Sequence, residues 1–415
     1  MSGYAYIYCF INVKLQITMK MKIAGKLIII ALLIGSTGTI PAQETGYTMT
    51  TEKNIPVTAV KDQHRSGTCW SFAAVSFLEA EILRESGETC DLSEMFLVRQ
   101  CYRDKAEKYV RMHGKTNFGG GGLAHDLLDV WNGYGLVPQS AYPGMVIGEE
   151  GHVHGEMDGQ LKAYVEAVIK NRNRKLTPVW MEGFEGILDA YLGVYPKTFT
   201  YEGKSYTPTS FASALPVDAE DYVTIGSFTH HDFYQPFILE IPDNWGWNSI
   251  YNVPMEEMME VIDNSLESGY TVCWDADVSE KGFAWKEGLA LLPDENIARL
   301  DGLERGRWDE LSEGEKKALF YDFSSPKIEK KVTQEYRQQL FDNYITTDDH
   351  LMHITGLARD QDGKRFYKVK NSWGVGNHIY DGYLFASGAY LRGKTIFVMV
   401  HKDAIPEDIA GKLGL

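Results

Sequence analysis

The 415-residue chain can hold one large domain or two to three ordinary ones, and its 44% hydrophobic content supplies ample core for a soluble globular protein. A net charge of -16 and a pI near 5.2, with no compensating Lys/Arg cluster beyond the N-terminal leader, argue against a nucleic-acid partner, which requires basic stripes. The acidity itself reads as a solvated negative surface.

From Met19 a lysine-bearing head, an apolar run over Leu27–Ile34 and small residues before Ala42 follow the three-part layout of a secretory signal. The expectation is therefore a leader over residues 1–43, with the signal proper at 19–42. It implies export to the periplasm or the extracellular space, and no stable membrane contact after its removal. The apolar run is short for a permanent span, and a retained anchor is the alternative reading. Beyond the leader four cysteines remain, Cys69, Cys90, Cys101 and Cys273, too few for a disulfide framework. Cys90 and Cys101 are left open as a pair or as buried free thiols, and Cys273 reads as core.

Cys69 opens a helix, because Trp70, Ala73, Ala74, Phe77, Leu78 and Ile82 recur at helical spacing and Gly87 supplies a stop. A second helix starts after Ser93 as N-cap, and a third follows the glycine run at about Leu123. Helical stretches continue to about Tyr191. Strand-like runs then dominate, among them YTVCWDADV, HLMHITGLARD, FYKVKNSWG and TIFVMVHKD. Helices first and strands last give an α+β chain. Residues 44–415 are expected to form the main domain, with insertions over about 150–215 and 294–331.

The chemistry is concentrated in VKDQHRSGTCWSF. A thiol at a helix N-terminus is favoured as thiolate, the nucleophilic form. Gly67 permits a tight turn into the helix, and the Gln63 amide with the Cys69 N–H could form an oxyanion hole, each donor being worth roughly 2.7–4 kcal/mol in acyl transfer. His353 lies in a second strand-like run, a turn follows at Asp360–Gly363, and Asn371 ends the next run. Antiparallel pairing across that turn would set Asn371 beside His353 as the group that orients a base, with Trp373 covering the bond. His230–His231 and His152 with His154 invite a metal reading, but their neighbours in sequence complete no ligand set. They are read as exposed loop histidines, and neither metal nor cofactor is expected.

Gln63, the GTCWSF helix start, His353 and Asn371-Ser372-Trp373-Gly374 resemble the papain family of cysteine peptidases. The resemblance implies a two-lobed fold, a helical lobe carrying the cysteine and an antiparallel β-barrel-like lobe carrying His and Asn, with a helical insertion. Ser66 stands where many members carry a disulfide-forming cysteine. Cys69 and His353 are 284 residues apart, against roughly 130–150 in simple members. This layout, with LSEMFLV and YGLVPQSAYP, is similar to the bleomycin hydrolase and aminopeptidase C branch. It implies catalysis by Cys69, His353, Asn371 and Gln63, and substrate contacts at Gly67, Trp70, Gly121, Gly122 and Trp373. It also implies a peptide substrate, exopeptidase activity and a hexamer; in that branch the C-terminal tail enters the cleft, and whether the tail ending at Leu415 does so here is left open by the sequence. The alternatives are an open-cleft endopeptidase, a Cys–His amidase or acyl transferase, and a binding protein without turnover.

Overall fold

The computed structural model describes residues 45–173, 175–296 and 311–415. The expected leader, and the middle of the charged stretch 294–331, lie outside them. Strand β1 (Thr50–Asn54) is followed by helices α1 (Cys69–Ser86), α2 (Glu94–Arg111) and α3 (His125–Tyr134). The expected punctuation is present. Gly87 ends α1 with φ of 74° and its N–H on the Leu83 carbonyl, a conformation that suits glycine, and the Ser93 hydroxyl accepts from the Phe96 N–H at the start of α2. Helix α1 is buried continuously from Trp70 to Ile82, so it forms the axis of the helical half rather than a surface element.

Helices α4 (Gly155–Ile169) and α5 (Trp180–Leu192) each bury one stripe, Met157, Leu161 and Val165 from the first and Phe184, Leu188 and Leu192 from the second. That i, i+4 spacing lays both helices on the core built by α1 to α3. A hairpin of β2 (Phe199–Tyr201) and β3 (Lys204–Tyr206) and the short α6 (Pro208–Ala212) complete this half.

The second half contains β4 (Tyr222–Gly226), β5 (Pro236–Ile238), β6 (Ser249–Asn252), α7 (Met255–Ser268), β7 (Val272–Ala276), β8 (Phe283–Ala284) and β9 (Leu289–Ala290). Then come α8 (Glu313–Phe320), α9 (Gln334–Asp342), β10 (His350–Arg359), β11 (Arg365–Lys370), β12 (Tyr383–Ser387), α10 (Gly388–Lys394), β13 (Thr395–His401) and α11 (Glu407–Leu413). The strands run in the order β5-β6-β4-β13-β7-β10-β11-β12-β9-β8, with β1 added on the second half of β10. Where a barrel-like lobe was expected, the described residues form no closed barrel. The sheet is open, because its end strands are short and each pairs on one side only among the described residues.

Strand alternation divides the sheet between two cores. Cys273, Leu351, Phe397 and Met399 face α1, whereas Trp274, Met352, Ile354 and Val398 face α7 and α11. Residues Ile409 and Leu413 of α11 pack on this second side, and Lys412 pairs with Glu257 of α7 at 3.0 Å. The C-terminal segment through Leu415 therefore lies on the face of the sheet away from α1. No helix among the described residues is long and apolar enough to cross a membrane.

Candidate active site

Cys69 is the first residue of α1 and is partly exposed. The N–H groups of Leu351 and Trp70 reach its sulfur and favour the thiolate, as does the helix N-terminus, which carries no acidic residue in its first turn. Burial opposes them and, with the carboxylates of Asp275 and Asp348, pushes the thiol up to about 12. The cysteine needs a proton acceptor beside it.

The hairpin that carries this acceptor is not in the expected register. Arg359 faces Arg365 and Gly356 faces Lys368, but Thr355 is then an extra residue, and beyond this bulge Ile354 faces Val369 and His353 faces Lys370. A one-residue shift reverses which face each side chain takes. His353 consequently points to α1, where its Nδ1 meets the Ser76 hydroxyl at 2.9 Å, and the Lys370 ammonium donates to the same hydroxyl at 2.7 Å. Asn371 instead meets His350, whose Nε2–H donates to the Asn371 Oδ1 at 2.7 Å. The expected pairing of His353 with Asn371 is thus corrected. His350 is the histidine joined to Asn371, and it directly precedes the residue whose N–H reaches the Cys69 sulfur. Burial pulls the His350 imidazole down to about 4 and that of His353 well below its usual range.

Gln63 is buried in the turn before α1. Its Nε2 donates one hydrogen to the Ser66 carbonyl at 2.9 Å, and its Oε1 accepts from the Ser372 hydroxyl at 2.7 Å. A primary amide has two hydrogens, so one is left for a substrate oxygen. Ser66 braces this turn through its own hydroxyl, bonded to the Gln63 carbonyl and the Thr68 hydroxyl. The Trp373 ring lies 4.8 Å from the His350 ring, centroid to centroid, so it stands over the His350–Asn371 bond rather than over the expected His353–Asn371 one.

The other expected substrate contacts separate. Gly67 is exposed, and its Cα side borders Gly120, with 3.7 Å from an added Cβ to the Gly120 Cα. Trp70 and Gly122 are buried and lie behind the cleft wall rather than in it. The indole N–H of Trp70 donates to the Gly120 carbonyl at 2.9 Å, and a Cβ on Gly122 would strike the same indole and Asp126. Gly121 is partly exposed, but a Cβ there would overlap Asp243, so its Cα side is closed by that carboxylate. His152 and His154 are buried against Phe72 and each other, not exposed as expected. His230 and His231 both meet Glu240, at 3.2 and 2.9 Å, a partner that the neighbouring sequence did not suggest. Cys90, Cys101 and Cys273 are buried free thiols.

A family model described as papain family cysteine protease matches residues 47–182, and one described as peptidase C1-like family matches residues 310–414. Aminopeptidase C of Lactobacillus delbrueckii subsp. lactis is 23% identical over 398 residues, covering 86% of this chain and 82% of the relative. Aminopeptidase G of the same organism is 24% identical over 404 residues, covering 85% and 83%. The crystal structure of PepW from Lactobacillus rhamnosis HN001 aligns with a TM-score of 0.65 at 18% identity, covering 97% of this chain and 94% of that one. With a thiol at a helix start, a His–Asn pair beside it and a glutamine amide six residues upstream, the chain is a papain-like cysteine peptidase, similar over most of its length to aminopeptidases C and G.

Proposed function

We propose that this cysteine peptidase removes residues from the free N-terminus of peptides, with Cys69 as nucleophile, His350 as base, Asn371 as its orienting partner and Gln63 in the oxyanion hole. The observation that carries the assignment is the 2.7 Å bond from His350 Nε2 to Asn371 Oδ1. It engages one ring nitrogen and so leaves Nδ1 as the one available to the thiol. The Cys69 proton passes to Nδ1 as the sulfur attacks the substrate carbonyl carbon. The oxygen that becomes negative accepts from the Gln63 amide and the Cys69 N–H. His350 then gives its proton to the leaving amine. A water attacks the thioester, losing its proton to Nδ1, and the acid leaves as the thiol is restored.

The aminopeptidase names of the full-length relatives support the choice of exopeptidase over an open-cleft endopeptidase. Fluorogenic peptides with free and blocked N-termini test it, read on wild type against Cys69→Ala. Cleavage confined to free N-termini is expected, and equal cleavage of blocked peptides removes the reading. Export rests on the leader pattern at 19–42 and is checked by fractionating cells. A hexamer rests on family resemblance, and light scattering of the purified protein would refute it with a monomer mass.

A further inference from the structure

Asp275 is fully buried in the middle of β7, and neither of its carboxylate oxygens has a hydrogen-bond donor. Strand alternation places it on the α1 side with Cys273, and its register partner on β10 is Leu351, the residue whose N–H reaches the Cys69 sulfur. The group within bonding reach of Asp275 is a second carboxyl, that of Asp348, two residues before His350. Two carboxylates in contact cannot both ionise without a cation or a shared proton between them. Among the described residues no Lys, Arg or His forms an ion pair with either.

The surroundings add negative charge. Asp243, which closes over Gly121, faces the pair together with Asp349, and Asp126 faces Asp348. Lys105 lies opposite Asp243 and Asp126, but its ammonium is bonded to the carbonyls of Gly119 and Gly121. Asp275 thus presents buried acceptors without a donor, next to the partly exposed Asp348 and close to the nucleophile.

We propose that Asp275 and Asp348 form a subsite for a primary ammonium group of the substrate, a reading that rests on the peptidase assignment above. An ammonium carries three donors and one positive charge, the complement of what the two carboxyls lack. Both the α-ammonium of a peptide and a lysine side chain have this chemistry.

The test is calorimetric titration of the Cys69→Ala protein with four matched peptides, their N-terminus free or acetylated and their first residue Lys or norleucine. Removal of the recognised ammonium is expected to weaken Kd at least tenfold, and Asp275→Asn, in the same background, to abolish that difference. A penalty on acetylation identifies the α-ammonium as the occupant, and a penalty on norleucine identifies the side chain. Equal binding of all four peptides overturns the proposal, as does an Asp275→Asn protein that still discriminates. Should that variant not fold, Asp348→Asn, at a partly exposed position, decides in the same way. Because binding is read without turnover, a wild-type protein that cuts no peptide would defeat the aminopeptidase reading and leave this test standing.

Discussion

His350 and Asn371 are joined by a 2.7 Å bond beneath the Trp373 ring, although His353 stands nearer in sequence to Asn371 and shares the same strand as His350. The pair defines where a proton can go. A ring held at Nε2 by a neutral amide keeps one tautomer and offers Nδ1 to the thiol.

Gln63 bridges the cysteine turn and the Ser372 loop, so its loss removes an oxyanion donor at a fixed position. Gln63→Ala is expected to lower kcat by about 10²–10³-fold, the effect of losing one such donor, with a smaller change in KM. Steady-state kinetics on a free-N-terminus substrate gives the split. A fall in kcat/KM carried by KM alone would place Gln63 outside the oxyanion hole.

Trp70 acts on the substrate indirectly. Trp70→Phe keeps the buried ring and removes the donor to the Gly120 carbonyl, costing about 1 kcal/mol, or more if the carbonyl stays unpaired. The expected result is a lowered denaturation midpoint and an unchanged rate of Cys69 alkylation. A variant as stable as wild type would show that the bond contributes nothing.

The acid limb of activity follows from His350. Burial holds its imidazole near 4, so it remains a neutral base well below the usual histidine range. As pH falls through that value the ring gains a proton and can no longer take one from Cys69. We predict that kcat/KM persists through pH 6.5 and declines only towards 4. A midpoint at the ordinary histidine value would contradict the burial argument.

Lys61 ties the loop before the active site to two helices, contacting Glu79 at 3.1 Å, Glu94 at 2.6 Å and Asp91 at 2.7 Å. Lys61→Met would leave Glu79 and Glu94 buried without their cation, a loss of about 3–5 kcal/mol. Glu94 is already raised to about 7, mainly by burial, so the folded state binds its proton more tightly than the unfolded state. That contribution is fully present below the ordinary carboxylate value and is lost as pH rises through 7. The variant should therefore regain stability as pH is lowered from 8 to 6 in urea titrations. A pH-independent deficit would exclude this origin.

Local signals were readable because they act over a few residues. The Ser93 cap, the Gly87 stop and the helical stripe after Cys69 needed no tertiary information. The histidine did. Counting back from the turn at Asp360–Gly363 with Arg359 opposite Arg365 extrapolates to His353 opposite Asn371, and only the extra residue at Thr355 changes the parity. Nothing in HITGL marks that bulge. Had the even spacing of His350 and Met352 been weighed against Asn371, both histidines would have stood as candidates. Trp70 followed the nucleophile in sequence, but the next side chain along a helix turns by about 100°, here into the core. Asp275 carries no sequence signal of a site, because its neighbour Asp348 lies more than seventy residues away along the chain.

Parallel kinetics of His350→Ala and His353→Gln, on a free-N-terminus fluorogenic peptide, test the assignment of the base most directly. The geometry predicts a loss of about 10²–10⁴-fold in kcat/KM for His350→Ala, the worth of a positioned base. His353→Gln, which removes buried contacts to Ser76 and the Phe77 ring and none to the reacting groups, should lower stability and leave the folded enzyme within a few-fold of wild type. The reverse outcome, an inactive His353→Gln protein beside an active His350→Ala protein, would contradict the account.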